Sequence, residues 1–402
     1  MRFSLLPIIV LFATSILAGC VAEQPDSNNA SMNGAKTFES DLEFLRSHGD
    51  VRLLVGEDGQ RVAVSDQYQG RVMTSTTADG SLSFGWINRP FIQSGATGTA
   101  FDNYGGEDRF WLGPEGGQYS LFFPAGAEFV LDDWQVPAGL QEGTWSVVDS
   151  SASAVTYRQS MTLTNYSGTE FELEVDRTIS LLDEEQIRTA LGVDMPESID
   201  WVAFESTNQV VNRSAGPWTE EGGLLSIWIL GMYETFDTSW VVVPFDGPSS
   251  ADVITDAYFG AVPEDRLVVR DGYAVFKADG MYRSKIGVPA AYARPVLGSY
   301  SPAVNALTVV HFDLPEQAAR YVNSLWELQD APYDGDVVNS YNDGPPNPGG
   351  FYELETSSPA LELAPGESHV HRHRTIHFVG DTEALDTLCR SIFGVPLEDI
   401  RI

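Results

Sequence analysis

Residues 146–182, SVVDSSASAVTYRQSMTLTNYSGTEFELEVDRTISLL, decide the fold class. They are β-rich, follow a period of two, and are cut by turn-forming residues, as antiparallel strands with two unlike faces require. The same pattern runs upstream through VRLLV (51–55), QRVAV (60–64), RVMTSTT (71–77) and SLSFGWI (81–87), with turns at Glu57-Asp58-Gly59 and Ala78-Asp79-Gly80. Downstream it continues through WVAFESTNQVVN (201–212), LLSIWILGMYETFDTSWVVVPF (224–245), ALTVVHFDL (306–314), FYELET (351–356), ALELA (360–364) and SHVHRHRTIHF (368–378).

Helical periodicity is sparse. Ser40 and Glu43 have the spacing of a capping box and predict a short helix ending before His48-Gly49. Further helices are expected over Asp183 to Leu191, over Pro315 to Leu328, and from Asp381, where Leu385, Leu388 and Ile392 share a face and Gly394 is the stop. Many antiparallel strands with few helices mean an all-β sandwich of large sheets. Residues 39–402 contain no stretch of linker composition and are expected to form a single domain. The run DAPYDGDVVNSYNDGPPNPGG (330–350) is expected to be a binding loop or lid.

The N-terminus has the grammar of export. Arg2 precedes an apolar run from Phe3 to Leu17, and Leu17-Ala18-Gly19-Cys20 resembles the lipobox of bacterial lipoprotein signal peptides. That resemblance implies a signal peptide over 1–19, lipidation of Cys20, and a Ser-, Asn- and Gly-rich tether over 20–38. The expected location is the cell envelope, with Val21 after the cysteine pointing to the outer membrane. Cys389 would then be the one thiol left, so no internal disulfide is expected.

The formal net charge of −34 repels phosphate backbones and anionic headgroups, which excludes nucleic acid as a partner. Membrane association is expected only through the lipid, and the chain is expected to act as a monomer.

The segment NYGGEDRFWLGPEGGQYSLFF (103–123) is where chemistry concentrates. Glycine pairs at 105–106 and 116–117 mark close backbone approach, and between them lie Arg109, Trp111 and Glu115, with Gln118 just beyond. An indole face that packs on sugar C–H groups, beside charged groups that bond hydroxyls, fits carbohydrate recognition. The alternative is a turn whose arginine merely pairs with a neighbouring glutamate.

Three stretches, VRLLVGEDGQRVAVSDQYQGRVMTST, GGEDRFWLGPEGGQ and FYELETSSPALELAPGESHVHRHRTIHF, together resemble the galactose mutarotase-like (aldose 1-epimerase) superfamily. Within it, the chain is most similar to a family of bacterial lipoproteins of unknown function. The resemblance implies a β-supersandwich of large antiparallel sheets that binds sugars in a concave face. It places the superfamily's basic glutamate at Glu355, with Glu353 as same-face neighbour. The superfamily's acid histidine has no counterpart: the matching segment, STNQVVN, carries Asn208 and then Gln209, and glutamine shuttles no proton.

Three functions are compatible with the sequence: an enzyme acting on a carbohydrate, a carbohydrate-binding lipoprotein without catalysis, and a metal site. A hydrolase would pair Glu355 with Glu115 across one bond. RSKIGVPAAYARPVLGSY (283–300) adds Lys285, Arg294 and Tyr300 as candidate wall residues, and a lyase would use Lys285, Arg294 and Arg109 to neutralise a uronate. His369, His371, His373 and His377 share one strand face. Four histidines spread over ~26 Å of strand do not converge on one ion. No metal or cofactor is expected; His371 and His373 are candidate groove residues, one of them to replace the missing acid.

Overall fold

The alternating segments become strands in the computed structural model, which describes residues 36–248, 253–317, 319–345 and 350–402. Strands β1 (Val51–Val55), β2 (Arg61–Ser65), β3 (Arg71–Thr76) and β4 (Arg109–Gly113) come first. The stretch at 146–182 supplies β5 (Ser146–Ser150), β6 (Ala154–Thr164) and β7 (Glu170–Leu181), followed by β8 (Asp200–Asn212), β9 (Ser226–Glu234) and β10 (Ser239–Pro244). Next are β11 (Leu267–Arg270), β12 (Tyr273–Ala278), β13 (Ser284–Pro289), β14 (Val296–Ser301) and β15 (Ala306–Phe312). The last three are β16 (Asp336–Asn342), β17 (Phe351–Ser357) and β18 (Ser368–Val379).

Three antiparallel sheets result. Ten strands pair in the order β11-β12-β10-β14-β15-β18-β8-β7-β6-β5, five in the order β13-β16-β17-β9-β4, and three in the order β1-β2-β3. This is the supersandwich of large sheets, with few short helices, that the family resemblance implies. The ten- and five-stranded sheets face each other over a dry layer in which Val241, Phe276, Leu297 and Phe312 meet Ile286, Val338, Tyr352 and Leu354. The three-stranded sheet adds Val62, Val64 and Val72 to a layer with Tyr157 and Val175.

The helices lie where capping chemistry puts them, with additions. Helix α1 (Phe38–His48) is capped by Thr37, three residues before Ser40, so the predicted start shifts back and Phe38, assigned to the tether, is wholly buried. Two short helices the periodicity missed, α2 (Arg89–Ser94) and α3 (Ala138–Gln141), lie within connections. Helix α4 (Glu184–Leu191) has a reciprocal capping box between Asp183 and Gln186. Helix α5 (Thr382–Phe393), capped by Asp381 and ended by left-handed Gly394, lays Leu385, Leu388 and Ile392 on Val309, Ile376 and Phe378 of the large sheet. Cys389 is free and buried, its thiol donating to the Val395 carbonyl.

Two expectations are corrected. The described residues of 315–328 form no helix. The Asn323 carboxamide accepts from Leu325 N–H, and the Gln329 side chain donates to the carbonyls of Asn323 and Leu325, so side-chain amides displace the helical ladder. Within the expected loop 330–350, Asp336–Asn342 is an interior strand of the five-stranded sheet, paired with β13 and β17. The signal peptide, Cys20 and nearly all of the tether lie outside the described residues.

A buried guanidinium joins the sheets. Arg177, on β7, donates through Nε to the Gly70 carbonyl ahead of β3, through Nη1 to Asn208 on β8, and through Nη2 to both the carbonyl and carboxylate of Asp108 ahead of β4. Both members of the Arg177–Asp108 pair are completely buried. Removing one partner of such a pair strands the other charge, so Arg177→Met is expected to lower unfolding stability by about 3–5 kcal/mol, read from urea denaturation.

Candidate functional site

Register across the five-stranded sheet sorts side chains into rows. Lys285, Tyr341, Glu353 and Met232 stand opposite one another on β13, β16, β17 and β9; Asn339, Glu355, Leu230 and Arg109 form the next row; Trp228 and Trp111 follow. Strand alternation turns all of these away from the dry layer, to the sheet's outer face. Loops close over it to leave a cavity of about 490 Å³, walled by Trp111, Trp134, Trp228 and Trp326 with Phe259 and Phe101. Indoles from four separate segments thus surround a floor of charged groups.

Glycines make the closure possible. A side chain at Gly105 would stand 2.1 Å from the Trp86 carbonyl, and one at Gly116 would stand 2.2 Å from the Leu325 carbonyl. The backbone carrying Arg109 through Glu115 therefore packs directly on neighbouring backbone at both ends.

The floor holds two ion pairs. Arg109 Nη2 donates to Glu353 Oε1 at 3.0 Å while its guanidinium lies 4.0 Å from the Trp111 ring centre. Lys285 Nζ donates to Glu355 Oε2 at 2.9 Å, and Trp228 Nε1 donates to the same oxygen at 2.9 Å. Glu355 is wholly buried behind Lys285 and Trp228, and its Oε1 has no hydrogen-bond partner among the described residues. Glu353 lines the cavity itself. Burial, opposed by Arg109 and reinforced by repulsion from Glu355, pushes the Glu353 carboxyl up to about 8. Burial also raises Glu115, against the pull of Lys285 and with Glu355 repelling it. Burial disfavours charge on Lys285, but the carboxylates of Glu355 and Glu115 outweigh it and lift that ammonium above the ordinary lysine value.

Of the residues singled out in the sequence, Arg109, Trp111, Glu115, Lys285 and Glu353 line the cavity, and Glu355 lies directly beneath. Gln118 does not. Its carboxamide donates to the Gln329 carbonyl and accepts from Gln329 N–H, both at 2.9 Å, which positions the segment carrying Trp326. Asn208 faces the opposite sheet, accepting from Arg177 and donating to Ser206 and the His371 carbonyl. Arg294 sits in the β13–β14 connection, outside the cavity wall. Tyr300 packs with the α5 cluster and donates to Asn305.

The histidines are likewise displaced from the cavity, for a reason of strand parity. Thr356 projects from β17 on the side opposite Glu355, into the layer between sheets, and its hydroxyl meets His371 Nε2 and His373 Nδ1, each at 2.9 Å. One hydroxyl donates once, so one ring must donate back. Burial drives His371 down to about 3 and His373 to about 4, so both are neutral. Neither replaces the missing acid beside Glu355, nor do they share a metal with Glu353 or Glu355. Among the described residues no group of three His, Cys, Asp or Glu side chains is arranged to hold a metal. His377 stacks on Phe84 at 4.0 Å and bonds Glu107 through Nε2 and Thr308 through Nδ1.

Sequence reasoning missed Trp134, Trp228, Phe259, Arg283, Trp326 and Tyr341, all of which line the cavity. The one available signal was the isolated tryptophan in each of several unrelated segments.

Known structures place this architecture. A protein from Synechocystis sp. PCC 6803 superposes with a TM-score of 0.51 at 11% identity, over 83% of this chain and 96% of that one. A galactose mutarotase-like protein from Lactobacillus casei gives 0.45 at 12% identity over 82% and 100%. A galactose mutarotase related enzyme from Lactobacillus acidophilus gives 0.44 at 10% identity over 82% and 97%. At 11% identity the likeness to the Synechocystis protein is one of fold. No curated protein matches the sequence. Residues 36–402 match the family of unknown function DUF6786 along their whole length, and the chain belongs to that family.

Proposed function

We propose that this protein binds a carbohydrate in the cavity on the outer face of the five-stranded sheet. The observation that carries this is the ring of four indoles over a floor of glutamates already paired to Arg109 and Lys285. Indole faces take up the C–H patches of pyranose rings, and fixed charged groups supply hydrogen bonds to hydroxyls at little ordering cost.

A catalytic role for the same site is supported by Glu353. It borders the cavity, and with its carboxyl raised to about 8 it is mostly protonated at neutral pH, the state in which a glutamic acid donates a proton to a glycosidic or ring oxygen. Glu355 is then a positioning residue, fixing Lys285 and Trp228 around the ligand. This reverses the order of the two glutamates expected from the superfamily resemblance. The accompanying proposal, that the chain is an envelope lipoprotein acylated at Cys20, rests on the Leu17-Ala18-Gly19-Cys20 sequence.

A glycan array followed by calorimetry on the hits tests binding: Trp111→Ala and Trp228→Ala should each weaken it about 10-fold or more, the scale of a lost aromatic contact of ~1.5 kcal/mol. Unchanged affinity in both variants would remove the cavity from consideration. If a hit is turned over, the acid form of Glu353 is the active one, so the rate should be full below pH 7 and fall as pH rises through about 8. Glu353→Gln should cut that rate about 10²–10⁴-fold. A rate that rises with pH over this range would assign the chemistry elsewhere. Metabolic labelling of the full chain with a fatty-acid analogue should mark the protein and fail for Cys20→Ser.

A further inference from the structure

Three cations line the cavity of a chain whose formal net charge is −34. Two of them are spoken for, Arg109 by Glu353 and Lys285 by Glu355. Arg283 is not. It is exposed and lines the cavity, its side chain bonds the Tyr341 hydroxyl, and among the described residues it forms no salt bridge. Its guanidinium carbon stands 3.8 Å from the ring centre of Phe259 and 5.9 Å from that of Trp326.

That seating matters chemically. A guanidinium packed on an aromatic face still offers N–H donors at its edge, in a fork that matches the two oxygens of a carboxylate or sulfate. The aromatic support also restricts the side chain, so less freedom is lost when it pairs. A cation without a salt bridge among the described residues, seated on an aromatic ring beside the indoles, is placed to recognise an anion. The glutamates of the floor are held by cations of their own, Glu353 by Arg109 and Glu355 by Lys285, while Glu115, which also lines the cavity, feels the Arg283 charge without forming a salt bridge with it. The surrounding acidic field of the chain would repel an anionic ligand at long range, so selectivity for one has to come from a local cation of this kind.

We infer that the cavity takes an acidic saccharide, one bearing a carboxylate or sulfate oxyanion, and that Arg283 pairs with that group while the indoles hold the ring. The inference rests on the carbohydrate-binding function proposed above and names its ligand class.

The experiment compares, by calorimetry on the full chain, uronic-acid oligosaccharides, sulfated galacto-oligosaccharides and neutral galacto-oligosaccharides of matched length. At least one acidic series should bind 10-fold or more tightly than the neutral one, and which series does so separates carboxylate from sulfate. Arg283→Gln should erase that preference, losing about 10-fold for the acidic ligand and less than 2-fold for the neutral one. Arg283→Lys should fall between, because an ammonium offers charge without the two-pronged geometry. An unchanged melting temperature for both variants shows that the exposed side chain was removed without loss of fold. Equal binding of acidic and neutral series, or an equal loss for both in Arg283→Gln, overturns the acidic assignment while leaving carbohydrate binding intact. Failure of all three series to bind overturns both.

Discussion

The architecture depends on one buried charge. Arg177 projects from the large sheet and spends its donors on Gly70, Asn208 and Asp108, which belong to or border the small sheet, the large sheet and the five-stranded sheet. A guanidinium without those partners would be prohibitively expensive in this interior, so the three sheets are constrained to arrive together. Around it the interior is unusually polar: His371 and His373 share Thr356, and Glu107 accepts from Ser75 and from His377. Such a network specifies geometry more sharply than apolar packing, because each member left unpaired carries a desolvation cost.

The consequence for the site is a division of labour between the two faces of β17. On the inward face Tyr352, Leu354 and Thr356 bind the sandwich together; on the outward face Glu353 and Glu355 meet Arg109 and Lys285 beneath the cavity. Because adjacent residues of one strand serve opposite compartments, Thr356 and Glu355 never share an environment although they share a peptide bond. The cavity can thus be lined with charge while the layer behind it stays sealed.

Much of the fold was legible in the sequence. Period-two patterning found most strands, and helical periodicity from Asp183 and from Asp381 to the stop at Gly394 marked two helices, since both signals are local. What escaped was where a local preference lost to a distant partner. Residues 315–328 have helical spacing, but Asn323 and Gln329 bond the backbone and Gln118 anchors Gln329, so the segment becomes an irregular arm presenting Trp326. The run at 330–350 has the composition of a loop, yet its Val337 and Val338 are wholly or almost wholly buried between sheets.

The site divided along the same line. Sequence alone nominated Arg109, Trp111, Glu115, Lys285, Glu353 and Glu355 through glycine spacing, charge and the superfamily resemblance, but it nominated Gln118, Asn208, Arg294, Tyr300, His371 and His373 beside them and could not sort the two groups. It also determined that the four histidines share one face, a matter of parity along a strand. Only the tertiary structure decided which compartment that face looks into. It also decided which glutamate borders the cavity, and that tryptophans from positions 111, 134, 228 and 326 converge on it. These are relations between sheets, fixed by register and by the buried pairing of Arg177, and no periodicity within a single segment encodes them.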